Sequence, residues 1–303
     1  MNHTPVLLQE VITQLNPQPG EIAIDATLGL GGHARAILDK LGAGGQLVGI
    51  ERSQAGLELA RENLKKYQNQ LILVNDDFRN LKKISEDHQL SKINIAFFDL
   101  GLASWQLDTG YMGLSFQVDQ PLDMRMTNPT DDLGQNPSLW TADKQLAHLV
   151  RTYRFRPAAE IVNSANQKEL ELILREIGGV RTSRQVADRI VKARTEGNIT
   201  STSQLVKAVK STSPKLLAPI FQALRIVVND EYTAVAVSLP VAWNMLSAGG
   251  RLAVISFQGN EHRLVKQVLK GLEINKIKRI LPSEDEVEVN PRSRSAQLRI
   301  AVR

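Results

Sequence analysis

The stretch Ile22-Ala-Ile-Asp-Ala-Thr-Leu-Gly-Leu-Gly-Gly-His33 decides the fold. A short apolar run ends in Asp25, and the chain turns through Gly29, Gly31 and Gly32. Ala34, Ile37, Leu38 and Leu41 then fall at i, i+3, i+4 and i+7, one face of a helix. Strand, glycine turn, helix opens a doubly wound α/β domain, with its ligand at the carboxyl end of the strand. Glycines in such a turn accept positive φ and let the backbone approach a ligand. Taken alone, Gly29-x-Gly31-x-x-Ala34 also fits a dinucleotide site or a tight turn with no ligand.

Asp25 narrows the ligand. A pyrophosphate on a helix N-terminus wants backbone N–H groups and no nearby anion. A carboxylate just before the glycines repels it, but suits a ligand carrying an ammonium and a sulfonium, as S-adenosylmethionine does. The second strand, Gln46-Leu-Val-Gly-Ile50, ends at Glu51, spaced to hydrogen-bond ribose hydroxyls. The third, Leu71-Ile-Leu-Val74, runs into Asn75-Asp-Asp-Phe78, where Phe78 is placed to pack on an adenine ring. The fourth, Ile93-Asn-Ile-Ala-Phe-Phe98, ends in Asp99-Leu-Gly101. Acids ending strands one, two and four around a glycine turn favour a methyltransferase over an NAD-dependent oxidoreductase.

A chain of 303 residues has ample length for a core, in one large or two modest domains. Its 42% hydrophobic and 23% charged residues are those of a globular protein. Lys plus Arg outnumber Asp plus Glu by 37 to 32, an excess that permits a nucleic-acid partner without requiring one. The absence of cysteine rules out disulfides, thiolate metal sites and the cysteine adduct of C5-pyrimidine methylation. It agrees with a reducing cytoplasm, the expected location. The five histidines show no metal-ligand spacing, so no metal is expected. No signal pattern and no apolar run of spanning length is present, so no membrane partner is expected.

In chain order, Thr4 and Pro5 read as the N-cap and first residue of a helix with Leu8, Val11, Ile12 and Leu15 on one face. That helix is expected to cover the sheet edge or the cofactor cleft. Strand–helix alternation runs from Ile22 to Gly101, and a long aperiodic loop through Leu102–Phe116 and Pro121–Met126 follows. A loop of that length in a compact protein is usually functional. Helices without strands then run through 143–155, 166–177, 183–194 and 200–209. Arg151, Arg154, Arg156, Arg181, Arg184, Arg189, Lys192 and Arg194 lie on them, as RNA contacts or as a solvated face. The α/β pattern resumes with a helix over 220–238, the turn Ala248-Gly249-Gly250, the strand Arg251–Phe257, a helix bearing Leu264, Val265, Val268 and Leu269, and a last strand from Leu298. The expected organisation is an α/β domain over 1–107 and 215–303, interrupted by a helical domain over 108–214.

Several blocks resemble one known family in order along nearly the whole chain. They are His3-Thr-Pro-Val-Leu-Leu, Asp25-Ala-Thr-Leu-Gly-x-Gly-Gly-His, Asp99-Leu-Gly, Gln106-Leu-Asp, Pro121-Leu-Asp-Met-Arg-Met, Phe221-Gln-Ala-Leu-Arg-Ile-x-Val-Asn and Asn290-Pro-Arg-Ser-Arg-Ser-Ala. Together they resemble the RsmH (MraW) family. That resemblance implies a class I (Rossmann-like) methyltransferase domain with an inserted helical substrate domain. The implied reaction is methylation of N4 of a cytidine in the decoding region of small-subunit ribosomal RNA. The implied cofactor contacts are Gly31, Gly32, His33, Glu51 (usually Asp in the family), Phe78, Asp99 and Gln106, joining Asp25 and Gly29 from the reading above.

The chain departs from the family pattern on the substrate side. His-Ser-Leu-Glu-Asp-Arg is replaced by Gln258-Gly-Asn-Glu261-His262-Arg263, Gly-Val-Ser-Ser-Pro-Gln by Gly101-Leu-Ala-Ser-Trp105-Gln106, and Arg-Gly-Phe-Ser-Phe by Met112-Gly-Leu-Ser-Phe116. The stretch from Pro137 to Pro157 is longer than usual.

A cytosine amine is a poor nucleophile, so in-line placement against the sulfonium methyl supplies much of the rate. An acceptor for an N4 proton helps further, and Asp99 is the first candidate for that catalytic role, with cofactor binding or turn capping as its other readings. Reaching N4 needs a splayed base, stacked on aromatics and held by phosphate contacts. Trp105, Tyr111 and Phe116 are candidates for stacking or for core packing. Asp123 and Arg125 either shape the base pocket or form a structural ion pair. Gln258, Glu261, Arg263, Arg292 and Arg294 complete the substrate-side candidates. The partner is small-subunit RNA or the assembled subunit, with monomer and homodimer both open. A rival reading is a relative that has lost catalysis and acts as an RNA-binding or assembly factor.

Overall fold

A computed structural model of the protein describes residues 4–90, 92–102, 106, 111–126, 137–272 and 274–303. The chain divides into two compact units, one of residues 1–101 and 234–303 and one of residues 102–233.

The first unit is built on one seven-stranded sheet in the order β3-β2-β1-β4-β5-β7-β6. The strands are β1 (Ile22–Asp25), β2 (Gln46–Ile50), β3 (Leu71–Val74), β4 (Ile93–Asp99), β5 (Leu246–Ser256), β6 (Ile277–Ile280) and β7 (Gln297–Val302). β1 to β5 pair in parallel, while β7 runs antiparallel to both β5 and β6. This is the class I methyltransferase topology, a doubly wound sheet that reverses its strand order beside β1. Phe97 and Phe98, adjacent on β4, are both fully buried, so the sheet is covered on both faces, as parallel strands require. On one face Phe97 packs with Ala23, Leu47, Ala253, Ile255, Leu298 and Ile300 under residues of the helices Leu8–Leu15, Gly32–Leu41 and Gln54–Asn63.

Three local expectations are corrected. The first helix begins at Leu8, not Pro5, because Leu7 takes the left-handed conformation at φ 54°. Residues 4–7 instead form a strap. The Leu7 N–H donates to Glu286 Oε1, the Val6 carbonyl accepts from His33 Nε2, and the Thr4 carbonyl accepts from Asn290 Nδ2. The expected turn at Ala248-Gly249-Gly250 falls inside β5, as the irregularity between its pairings with Ile93 and Ile95. The helix expected over 220–238 is two helices, Pro214–Asn229 and Glu231–Met245, broken where Asp230 sits at φ 47°.

The second unit is helical: Lys144–Tyr153, Ala158–Ser164, Gln167–Glu176, Ser183–Glu196, Thr202–Val209 and Pro214–Asn229. Three of these helices begin at side-chain caps. Asp143 accepts from the N–H groups of Gln145 and Leu146, and Asn166 with Glu169 and Ser201 with Gln204 each close a capping box. The unit runs past the expected boundary at 214 because helix Pro214–Asn229 is tied into it. Asn229 Nδ2 donates to the Met124 carbonyl, Asn229 Oδ1 accepts from the Met126 N–H, and the Phe155 N–H donates to the Val228 carbonyl. At its end Arg225 forks onto Glu231 at 2.8 and 2.9 Å, with both side chains buried. Removing one partner of a buried pair costs about 3–5 kcal/mol, and replacing both by apolar groups costs far less. Arg225→Met should therefore lower stability in urea melts of the full chain by that amount, and Arg225→Met with Glu231→Met should recover most of it.

Candidate active site

The glycine turn at the end of β1 is fixed from three sides. The Leu28 N–H donates to the Ile50 carbonyl, and the Gly31 N–H to the Leu28 carbonyl. Gly31 sits at φ 83°, and a Cβ there would lie 2.7 Å from Leu64 Cδ1. A Cβ on Gly32 would lie 2.5 Å from Pro5 Cγ of the strap. Only glycine meets both the positive φ and the close approach at Gly31. Among the described residues no side chain caps helix Gly32–Leu41, so its first N–H groups open toward the turn.

Three acids converge on this turn from the carboxyl ends of β1, β2 and β4. Asp25 is 1% exposed, with Oδ1 accepting from the Thr27 N–H at 3.1 Å. Burial, opposed by that bond and reinforced by the Glu51 charge, raises its pKa to about 7. Thr27 also serves Asp99, its Oγ1 accepting from the Asp99 N–H at 2.6 Å. Asp99 Oδ1 is buried with no hydrogen-bond partner among the described residues. Burial, then the charges of Asp25 and Glu261, push the Asp99 pKa well above the usual carboxylate range. Glu51 accepts from the Gly29 N–H at 3.0 Å and the Ser53 N–H at 2.8 Å, yet burial still raises its pKa. Among the described residues no guanidinium or ammonium offsets the charge of Asp25 or Asp99. Carboxylates held this way fit a cationic ligand and reject a pyrophosphate.

His33 is buried, its ring 4.7 Å from that of Phe97. Because the Val6 carbonyl only accepts, Nε2 carries the hydrogen of the 2.9 Å contact. Nδ1 then faces Asp99 Oδ2 at 3.7 Å. Phe78 opens a short 3-10 turn, Phe78–Asn80, and its ring meets Phe98 edge to face at 5.7 Å. Beside it, burial works against the charge of Asp77, but Arg79 and Arg52 outweigh it and hold the carboxyl below the usual range.

Among the residues expected on the substrate side, Gln258 is the N-cap residue of helix Gly259–Lys270, without a side-chain capping bond among the described residues. Glu261 turns back to accept from the Phe257 N–H at 2.6 Å. His262 Nδ1 meets Ser256 Oγ at 2.7 Å. Arg263 is exposed and bonded to Asn260, while Arg292 and Arg294 are exposed on the turn Pro291–Ser295. In the helical unit Asp123 and Arg125 form a forked pair at 2.7 and 2.8 Å, with Met124 between them at φ 65°. The two residues are thus paired with each other. Phe116 packs edge to face on Phe221 at 5.6 Å, and Gln106 is buried. Trp105 lies outside the described residues, as does the side chain of Tyr111. The sequence reading missed Thr27, which links two of the acids, although it stands inside the quoted stretch. It also missed Arg279 and Arg299, which lie in short strands with cationic residues.

A sequence profile of the MraW methylase family matches residues 1–154 and 138–303. Ribosomal RNA small subunit methyltransferase H of Heliobacterium mobile is 36% identical over 330 residues, covering 99% of this chain and 98% of that protein. The enzyme of the same name from Dictyoglomus turgidum is 36% identical over 311 residues, covering 99% and 97%. That from Brevibacillus brevis is 35% identical over 329 residues, covering 99% and 97%.

Proposed function

Since this chain belongs to the MraW methylase family and takes S-adenosylmethionine as cofactor, we propose that it methylates N4 of a cytidine in the decoding region of small-subunit ribosomal RNA, in the cytoplasm. The observation that carries the reading is the unsatisfied Asp99 Oδ1 at the end of β4, beside the glycine turn, the buried Asp25 and the half-buried Glu51. The cofactor supplies an electrophilic methyl group and a positive charge. Asp25 answers that charge. Each Glu51 oxygen already accepts one N–H and keeps a second lone pair for a ribose hydroxyl. Gly29, Gly31, Gly32 and His33 form the wall on the other side, with Phe78 and Gln106 as the remaining cofactor contacts.

Asp99 would accept a hydrogen bond from the cytosine amine and take its proton as the nitrogen–methyl bond forms and the methyl–sulfur bond breaks, leaving a neutral thioether. A carboxylate with a raised pKa is a stronger base than an ordinary one. The helical unit, with Trp105, Asp123 and Arg125, and the segment of Gln258, Glu261, Arg263, Arg292 and Arg294 hold the RNA. No helix among the described residues is long and apolar enough to cross a membrane. Mass spectrometry of ribosomal RNA nucleosides from cells with and without the protein tests the reading. N4-methylated cytidine should disappear from the small-subunit decoding region when the gene is deleted and return with the wild-type chain. An unchanged nucleoside profile overturns the assignment.

A further inference from the structure

Arg299 on β7 stands directly opposite Arg279 on β6 in the antiparallel ladder. Directly opposed residues share a face of the sheet, and like charges so placed repel. On the same face, β5 presents Val254 opposite Arg299 and Ser256 opposite Gln297. Helix Gly259–Lys270 lays His262 there, against Ser256 Oγ.

Arg299 is 6% exposed. Its Nη2 donates to Gln297 Oε1 at 3.2 Å, but its Nη1 is buried with no hydrogen-bond partner among the described residues. A buried guanidinium nitrogen left unpaired beside a second guanidinium is costly unless an anion completes it. The groups facing His262 are Arg299 and Arg279 from the two strands, Ser256 from β5 and the backbone at Ser295. Among the described residues no carboxylate acts on either His262 or Arg299. Burial and the neighbouring cations hold both pKa values below their ordinary range.

We propose that Arg279, Arg299 and His262 form a phosphate-binding site that holds a backbone phosphate of the RNA substrate. Two guanidinium forks supply donors for the oxygens of a tetrahedral dianion or a phosphodiester, and the His262 ring, already bonded to Ser256 Oγ and to the Ser295 backbone, stands beside them. Ser256 pairs with Gln297 near the carboxyl end of β5, the edge that carries Gln258 and Glu261. A phosphate held here therefore lies along the path of a strand entering from that edge. The inference rests on the RNA reading above for its ligand, and on the local geometry alone for its anion.

Two measurements on the full chain separate these parts. Inorganic phosphate titrated into the protein should shift the His262 ring resonances saturably and raise its pKa. Arg279→Gln, a change at an exposed side chain that leaves the fold intact, should abolish that shift. In RNA binding, Arg279→Gln should reduce the slope of log affinity against log salt by about one, and Lys278→Gln, on the opposite face, should not. S-adenosylmethionine affinity should be the same in both variants and the wild type. A His262 resonance unmoved by phosphate overturns the site. A phosphate response with an unchanged RNA salt slope overturns the RNA backbone as its ligand. Loss of the methylated nucleoside assignment with the phosphate response intact would fall on the proposed substrate instead.

Discussion

Asp99→Asn is expected to lower the single-turnover rate of methyl transfer by about 10²–10⁴-fold, the usual worth of a positioned general base. The amide is nearly isosteric and keeps an acceptor oxygen, so the Asp99 N–H bond to Thr27 and the end of β4 should survive. What it loses is the capacity to take a proton. In the wild type only the ionised carboxylate accepts one, and burial with the charges of Asp25 and Glu261 raises its pKa well above the ordinary range. The rate should therefore climb with pH through a limb displaced upward from the usual carboxylate region, and that limb should vanish in the variant. Single-turnover measurements at saturating S-adenosylmethionine distinguish base from cofactor ligand. A variant that regains the wild-type rate once cofactor saturates would show that Asp99 only holds the cofactor.

Asp25→Asn should produce the second large effect, in opposite directions on stability and on binding. The folded chain holds the Asp25 proton up to about pH 7, whereas an exposed aspartate releases it near 3.8. The folded state thus binds more protons between those values, so stability is fullest below about pH 4 and falls as pH rises to about 7. A proton held over that interval is worth roughly 4 kcal/mol. Asparagine removes this part of the loss, while Glu51 and Asp99, also raised, keep theirs. Urea melts without cofactor should show the variant gaining over wild type from pH 5 to pH 8, by roughly 3 kcal/mol, the part of that interval above pH 5. Calorimetry should show S-adenosylmethionine binding the wild type more tightly as pH rises, with proton release, and the variant more weakly and with less pH dependence. Equal melts at pH 8 would mean that Asp25 is not buried as a charge.

The architecture of the α/β unit was legible because its strands end in residues with one physical reading each. Asp25, Glu51 and Asp99 are acids at the ends of apolar runs, and Gly31 is a glycine where a Cβ meets Leu64. β6 was not legible. Ile277-Lys-Arg-Ile280 is short and half-cationic, and its strand character comes from pairing with β7, not from an apolar pattern. The end of the first strap was hidden for a related reason. Pro5 after Thr4 is a good helix start locally, but Glu286 and Asn290, some 280 residues away, hold residues 4–7 outside the helix. Within the site, the sequence named the acids but not their joint desolvation, which exists only once Thr27 and the turn close over them. The Phe221–Asn229 block enters the sequence reading only as one of the family's signatures. Its Arg225 and Asn229 pin Glu231 and the Met124–Met126 backbone.

The pairing of β4 with β5 has a consequence for how the chain is made. β4 ends at Asp99, and its partner β5 begins at Leu246. At about 5–20 residues per second, a ribosome needs roughly 8–30 s to synthesise the intervening stretch. During that interval one edge of β4, with Phe97 and Phe98 beside it, has no strand to pair with. The helical unit is continuous over residues 102–233 and is fully synthesised before β5 emerges. The site at the glycine turn, though among the earliest residues made, is complete only once β5 and Glu261 have been added.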